Sequence, residues 1–276
     1  MDITDHEFER ITELIHSQFG IKLSAEKRSL VMGRLRKVLI NKGFDDFSQY
    51  LDYLRTDGSS DALSELVDKI STNHTFFFRE SGHFEFFAKE VLPTLTASLR
   101  AEGSKDLRIW CAGCATGEEP YTLVMLLREF FGLEYAEWRG SILATDISSR
   151  ALEKAKIGVY PEDRLKELPA VLRNKYFSKA GPDDWKVKDD VRSDVTFRRF
   201  NLMNEAFPFR KPFHAIFCRN VMIYFDAQTR DALVRRFQAC AADGAYFFIG
   251  HSETLGRNNQ LFTYIQPAVY RRVASG

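Results

Sequence analysis

Over residues 2–70 the apolar positions recur at three- and four-residue steps, the signature of amphipathic helices. Phe8, Ile11, Leu14, Ile15 and Phe19 share one face, and Gly20 stops that helix. Ser24 is the N-cap expected for a second helix, with Lys27 where a capping box carries Glu. Its apolar face is Val31, Leu35, Val38 and Leu39, and it runs to about Asn41 before Gly43. Phe47, Tyr50, Leu51 and Leu54 mark a third helix. Leu63, Leu66, Val67 and Ile70 mark a fourth, after the break Asp57-Gly-Ser-Ser60. No stretch here alternates with period two, so residues 1–72 are expected to form a helical domain and the Phe-rich residues 73–85 a linker helix.

From residue 86 the pattern changes to short apolar runs separated by helical spacing, which predicts an α/β sheet. Strands are expected over 107–111, 141–147, 195–202, 213–218 and 245–250. Two further runs, 262–265 and 268–271, are split by Pro267 and read as a closing hairpin. Residues 158–195 are irregular, with alternation near Trp185, and suggest a small antiparallel subdomain at about 175–195 inside a domain covering 86–276. An open sheet with an antiparallel strand at its edge is the class I methyltransferase variant of the Rossmann-like architecture.

The densest signal lies between the first strand and its helix, Cys111-Ala-Gly-Cys-Ala-Thr-Gly-Glu-Glu-Pro120. Small residues admit a ligand to the backbone, and the helix start offers free N–H groups. A phosphate loop would follow its last Gly with Lys and Ser or Thr, and Gly113-x-x-x-Gly117 is not the dinucleotide spacing. Two carboxylates after Gly117 suit a ligand with hydroxyls and positive charge, such as S-adenosylmethionine; the plain alternative is a tight, well-capped turn. Asp146, at the tip of the second strand, stands where an acidic residue meets ribose hydroxyls. Asn201 and Leu202 end the third strand, and Arg219 and Asn220 follow the fourth. In open α/β sheets ligands sit outside these carboxyl ends. Asn73, Thr75 and Arg79 are polar groups set among Phe76, Phe77, Phe78 and Phe84, and such groups need partners.

Composition narrows the function. Lys plus Arg is 39 against 38 Asp plus Glu, so a globally basic nucleic-acid binder is disfavoured. No apolar run approaches the roughly 20 residues of a membrane span, and the acidic start lacks a signal-peptide core; a soluble cytoplasmic protein is expected. Cys111-x-x-Cys114 has no second pair to complete a zinc set, and His74 and His83 have no metal-like companions in sequence, so no metal is expected. Lys27, Arg34 and Lys37 form a basic stripe on the second helix, either a solvated face or a docking surface for an acidic partner.

The chain resembles the chemotaxis receptor methyltransferase (CheR) family along nearly its whole length. The resemblance rests on Thr72-Asn-His-Thr-Phe-Phe-Phe-Arg-Glu80, Ala115-Thr-Gly-Glu-Glu-Pro-Tyr121, Thr145-Asp-Ile147 and Phe217-Cys-Arg-Asn-Val-Met-Ile-Tyr-Phe225. It implies S-adenosylmethionine-dependent O-methylation of glutamates on the cytoplasmic helical bundle of chemoreceptors, with S-adenosylhomocysteine as product. By motif, Asn73, Thr75 and Arg79 would contact the cofactor from the domain junction, and Glu118 and Asp146 would hold its polar groups and ribose. Gly113 belongs to the cofactor loop. Asn201 with Leu202 and Arg219 with Asn220 would flank the adenosine and the methyl end. It also favours docking of the receptor on Lys27, Arg34 and Lys37. Unlike some relatives the sequence shows no helical-repeat extension after the hairpin. Its segment around Gly181 is short for gripping a tethering peptide, so no tether is expected. The chain is also expected to be a monomer.

A glutamate is already ionised at neutral pH, so no strong base is required. Arg79, Arg219 or both are expected to orient the cofactor or substrate carboxylate, and Tyr224 to position the acceptor or the methyl donor. The alternative is a cofactor-binding docking module without receptor methylation. The presence of Arg79, Glu118, Asp146, Arg219 and Tyr224 together favours the enzyme.

Overall fold

A computed structural model describes residues 2–56, 60–138, 140–256 and 259–273. Helix α1 (Asp5–Phe19) opens with a reciprocal cap: the Glu7 N–H donates to Thr4 Oγ1 (3.2 Å) and the Thr4 N–H to Glu7 Oε2 (2.9 Å). Gly20, at φ 68°, closes it in the left-handed region. A short 3-10 turn, Ala25–Lys27, precedes α2 (Arg28–Lys42), and Ser24 makes no side-chain cap bond to it. Helices α3 (Phe47–Thr56) and α4 (Ser60–Ile70) complete a bundle around Ile11, Ile15, Val31, Leu35, Phe47 and Leu66. Of the break expected at 57–60, residues 57–59 lie outside the described residues and Ser60 begins α4.

Residues 71–80 are not a helix. The chain runs irregularly through Asn73 and Thr75 and then turns, with Phe78 (φ 59°) and Glu80 (φ 57°) in the left-handed region. Two such non-glycine residues break any continuous helix. Helix α5 (Ser81–Phe86) starts only after them and runs through a π-helical turn, Phe87–Val91, into α6 (Leu92–Ala101).

The sheet begins with β1 (Arg108–Ala112), α7 (Glu118–Phe131), β2 (Ser141–Asp146) and α8 (Ser149–Ile157). An inserted three-stranded antiparallel sheet follows, from β3 (Val159–Pro161), α9 (Ala170–Tyr176), β4 (Phe177–Lys179) and β5 (Asp184–Val187), in order β3-β5-β4. It begins well before the expected residue 175, because a three-residue strand shows no alternation. Then come α10 (Asp189–Arg192), β6 (Val195–Arg199), β7 (Phe213–Cys218), α11 (Ala227–Cys240), β8 (Ala241–Ile249), β9 (Phe262–Gln266) and β10 (Val269–Arg272).

The seven-stranded sheet has the order β6-β2-β1-β7-β8-β10-β9. Strands β6, β2, β1, β7 and β8 pair in parallel, and β10 is antiparallel to both β8 and β9. The antiparallel strand therefore lies one place in from the edge, not at it. One face packs on α5, α6 and α7 through Phe84, Phe87, Leu123 and Phe217, and the other on α11 through Trp110, Phe237 and Phe247. Strand order reverses between β1 and β7, where such sheets open a crevice.

The helical domain is fastened over that crevice. Ile21 bridges Phe225, the Lys22 N–H donates to the Tyr224 carbonyl (2.8 Å), and His16 Nε2 meets Asp226 Oδ2 at 2.7 Å. Among the described residues, no helix is long and apolar enough to cross a membrane.

Candidate active site

A cavity lies where the tips of β1, β2, β6 and β7 face α1, α2 and the linker. Its floor is the loop after β1. The Gly113 and Cys114 N–H groups donate to the Thr145 carbonyl at 2.8 and 2.9 Å, folding the loop over the end of β2. Gly113 has φ +88°, and a Cβ there would lie 2.3 Å from Val221 Cγ2, so only glycine lets the two loops close together. Asp146 braces the same loop: Oδ2 accepts from the Ala115 N–H and Oδ1 from the Ser148 N–H, both at 2.8 Å. Burial raises its pKa, against the pull of those N–H groups. Its remaining lone pairs are free for hydroxyls. The C-x-x-C cysteines are both buried and unpaired.

An ionic cluster closes the other side. Arg219 is 6% exposed. Its Nη1 donates to Glu119 Oε2 (2.8 Å), and Nη2 donates to Glu80 Oε2 (3.1 Å) and to the Arg79 carbonyl. The guanidinium also stacks 4.9 Å over Phe84. Its buried Nε has no partner. Burial raises the Glu119 pKa, partly offset by Arg219. Burial also acts upward on Glu80, but Arg219 and the Asn220 amide outweigh it and hold Glu80 below the usual range. Two carboxylates thus surround one arginine, an arrangement suited to an added cation.

Glu118, assigned from the motif, does not line this cavity; Glu119 does. Consecutive helix residues point about 100° apart, and at the start of α7 that rotation turns Glu118 away. Glu118 is buried beside Tyr160, with Oε2 accepting from Thr116 Oγ1 at 2.6 Å, and burial raises its pKa.

Asn73, Thr75, Arg79, Asn201, Leu202, Asn220 and Tyr224 all line the cavity with Gly113, Asp146 and Arg219. Arg79 is half-buried and donates to the His74 carbonyl (2.7 Å). The Asn201 amide is committed on both sides: Nδ2 to the Gln18 carbonyl (2.8 Å) and Oδ1 from the Met203 N–H (3.0 Å). Asn220, at φ 59°, donates its N–H to Glu253 Oε2 (2.9 Å), and Glu253 Oε1 accepts from the Ile223 N–H (2.9 Å). Glu253 holds the loop carrying Asn220 to Tyr224, a role absent from the sequence reading. The signal was an acidic residue just past the tip of β8.

The basic stripe is not uniform. Lys27 sits at the cavity wall with its ammonium 5.2 Å over the Tyr224 ring. Arg34 Nη1 donates to the carbonyls of Lys69, Ile70 and Ser71 at 3.2, 2.9 and 3.3 Å, closing the C-terminal end of α4. Of the three, only Lys37 is exposed.

Comparison with known proteins accords with this geometry. A family model described as the all-alpha domain of CheR methyltransferase matches residues 6–71, and one described as the SAM binding domain of CheR methyltransferase matches residues 73–271. A chemotaxis protein methyltransferase of Borreliella burgdorferi is 44% identical over 99% of this chain and 96% of that protein. One from Escherichia coli is 35% identical over 97% of this chain and 91% of its own length. Chemotaxis protein methyltransferase 1 of Pseudomonas aeruginosa is 33% identical over 96% of each chain.

Proposed function

We propose that this chain, which belongs to the CheR methyltransferase family, methylates glutamate side chains on the cytoplasmic helical bundle of a chemoreceptor, drawing the methyl group from S-adenosylmethionine. The observation that carries the reading is the cavity at the strand tips, closed by an arginine between two carboxylates. The residues fit the cofactor: Asp146 and Glu119 line the cavity with carboxylates suited to hydroxyls and a cation, and the unpartnered Arg219 Nε offers a buried donor. Glu119 takes the part first given to Glu118. Asn73, Thr75 and Arg79 hold the cofactor from the linker, and Leu202 and Asn220 flank it. Asn201 contributes by fixing the β6 tip against α1, since its amide is already committed.

When bound, S-adenosylmethionine would supply an electrophilic methyl to a glutamate oxygen, the C–S electron pair passing to sulfur, with a methyl ester and S-adenosylhomocysteine as products. Charge is lost in this step, so the protein needs alignment more than acid or base. Arg219, held in place by Glu80 and Glu119, and Arg79 orient carboxylates. Tyr224, fixed through its backbone to Lys22 and through its ring to Lys27, positions the acceptor. The receptor docks across the mouth with Lys37 as the outward cation. The protein acts as a cytoplasmic monomer.

The test is transfer of labelled methyl to receptor cytoplasmic fragments, with glutamine at the acceptor positions as control. Base-labile label on the glutamate fragment alone is expected. Cofactor binding without transfer would favour the docking module instead.

A further inference from the structure

His83, on α5, follows Glu80 by three residues, and the fold brings a third group to this pair. His251, just past β8, lies with its ring centroid 4.5 Å from that of His83, at 81°. Glu80 Oε2 is 3.5 Å from His83 Nδ1. Potential ligand atoms of Glu80, His83 and His251 all lie within 4.8 Å of one another. His83 is 1% exposed, with the Glu80 carboxylate 3.5 Å from Nδ1 and the Pro267 carbonyl as a backbone partner of the ring. A neutral imidazole has one donor and one acceptor nitrogen, so a partner met by the N–H leaves the other nitrogen's lone pair for a ligand. Glu80 already accepts from Asn220 Nδ2, the His251 N–H and Arg219, leaving one of its roughly four acceptor positions open. His251 is exposed and gives an entry path from solvent.

We propose that Glu80, His83 and His251 bind a borderline divalent transition-metal ion of the Zn2+ type, in an open three-ligand site beside Arg219. Two imidazoles and one carboxylate are a donor set zinc takes while keeping a position for water. Ca2+ and Mg2+ prefer all-oxygen shells. The ion would share Glu80 with Arg219 and set two positive charges side by side. Loading therefore loosens the clamp on the arginine and weakens cofactor binding, a consequence that rests on the function proposed above.

The test uses the full chain, stripped with chelator and titrated with Zn2+ against a chromophoric chelator, and with Co2+ for its spectrum. The wild type should bind one equivalent per chain, His251→Ala should bind roughly tenfold or more weakly, and His6→Ala, at an exposed histidine elsewhere, should match the wild type. The Co2+ form should show no thiolate charge-transfer band. Equal binding by wild type and His251→Ala, or a thiolate band, would overturn the site. Calorimetry with S-adenosylhomocysteine separates the two readings. If only the metal site is wrong, the product still binds and Zn2+ does not change its affinity; if the cofactor site proposed above is wrong, the product does not bind even to the stripped protein.

Discussion

Replacing Glu119 by Gln removes one charge 2.8 Å from Arg219 while keeping an oxygen to accept its hydrogen bond. Hydrogen bonds to charged groups contribute about 1.5–3 kcal/mol. Unit charges about 4 Å apart attract by roughly 4 kcal/mol at an effective dielectric of about 20, before desolvation is subtracted. A loss of about 2 kcal/mol, or roughly thirtyfold in affinity, follows for a ligand bearing cationic groups. Arg219 keeps Glu80, so the fold should survive. The neighbouring change Glu118→Gln is the matched control. Its side chain stays outside the cavity and Gln can still accept from Thr116, so cofactor affinity should stay within roughly threefold. Burial raises the Glu118 pKa, so the folded state holds that proton more tightly than the unfolded chain. The contribution of Glu118 to stability is therefore present at low pH and lost as pH rises above the ordinary value of 4.5. Glu118→Gln should be more stable than the wild type at pH 7, with the gap closing toward acid. Calorimetry with S-adenosylmethionine and urea unfolding across pH measure both effects. Lost affinity in Glu118→Gln but not in Glu119→Gln would refute the assignment.

Gly113→Ala puts a Cβ 2.3 Å from Val221 Cγ2 at φ +88°, and should cost about 1–3 kcal/mol and weaken cofactor binding. Adding Val221→Ala should recover part of that loss, because it relieves the clash and not the dihedral; no loss in the single variant would mean the loop closes another way. Lys37→Glu should slow receptor methylation and spare cofactor affinity, and unchanged methylation would end the docking proposal. Tyr224→Phe should lower turnover with cofactor affinity unchanged; full turnover would remove any part for its hydroxyl.

The strands around the site were legible because they are buried on both faces and read as continuous apolar runs, as in Ile109 to Ala112 and Ala215 to Cys218. Their order placed Gly113, Asp146, Asn201 and Arg219 at strand tips, and all four line the cavity. The misses have local causes. Phe76, Phe77 and Phe78 gave the linker the look of a helix, yet left-handed Phe78 and Glu80 bend it so that Glu80 reaches Arg219. Glu118 and Glu119 are chemically identical neighbours, and only the start of α7 decides which one faces the cavity. Arg34 read as a surface cation because its partners, the carbonyls at the end of α4, are set by tertiary packing. His83 and His251 meet only because α5 packs near the tip of β8.

The most direct measurement is peptide mapping by mass spectrometry of a receptor cytoplasmic fragment after incubation with S-adenosylmethionine and either the wild type or Arg219→Met. The account predicts methyl esters on glutamate side chains of the fragment with the wild type, and none above background with the variant. An unmodified fragment from a wild type shown to bind the cofactor, or methyl groups on residues other than glutamate, would contradict it.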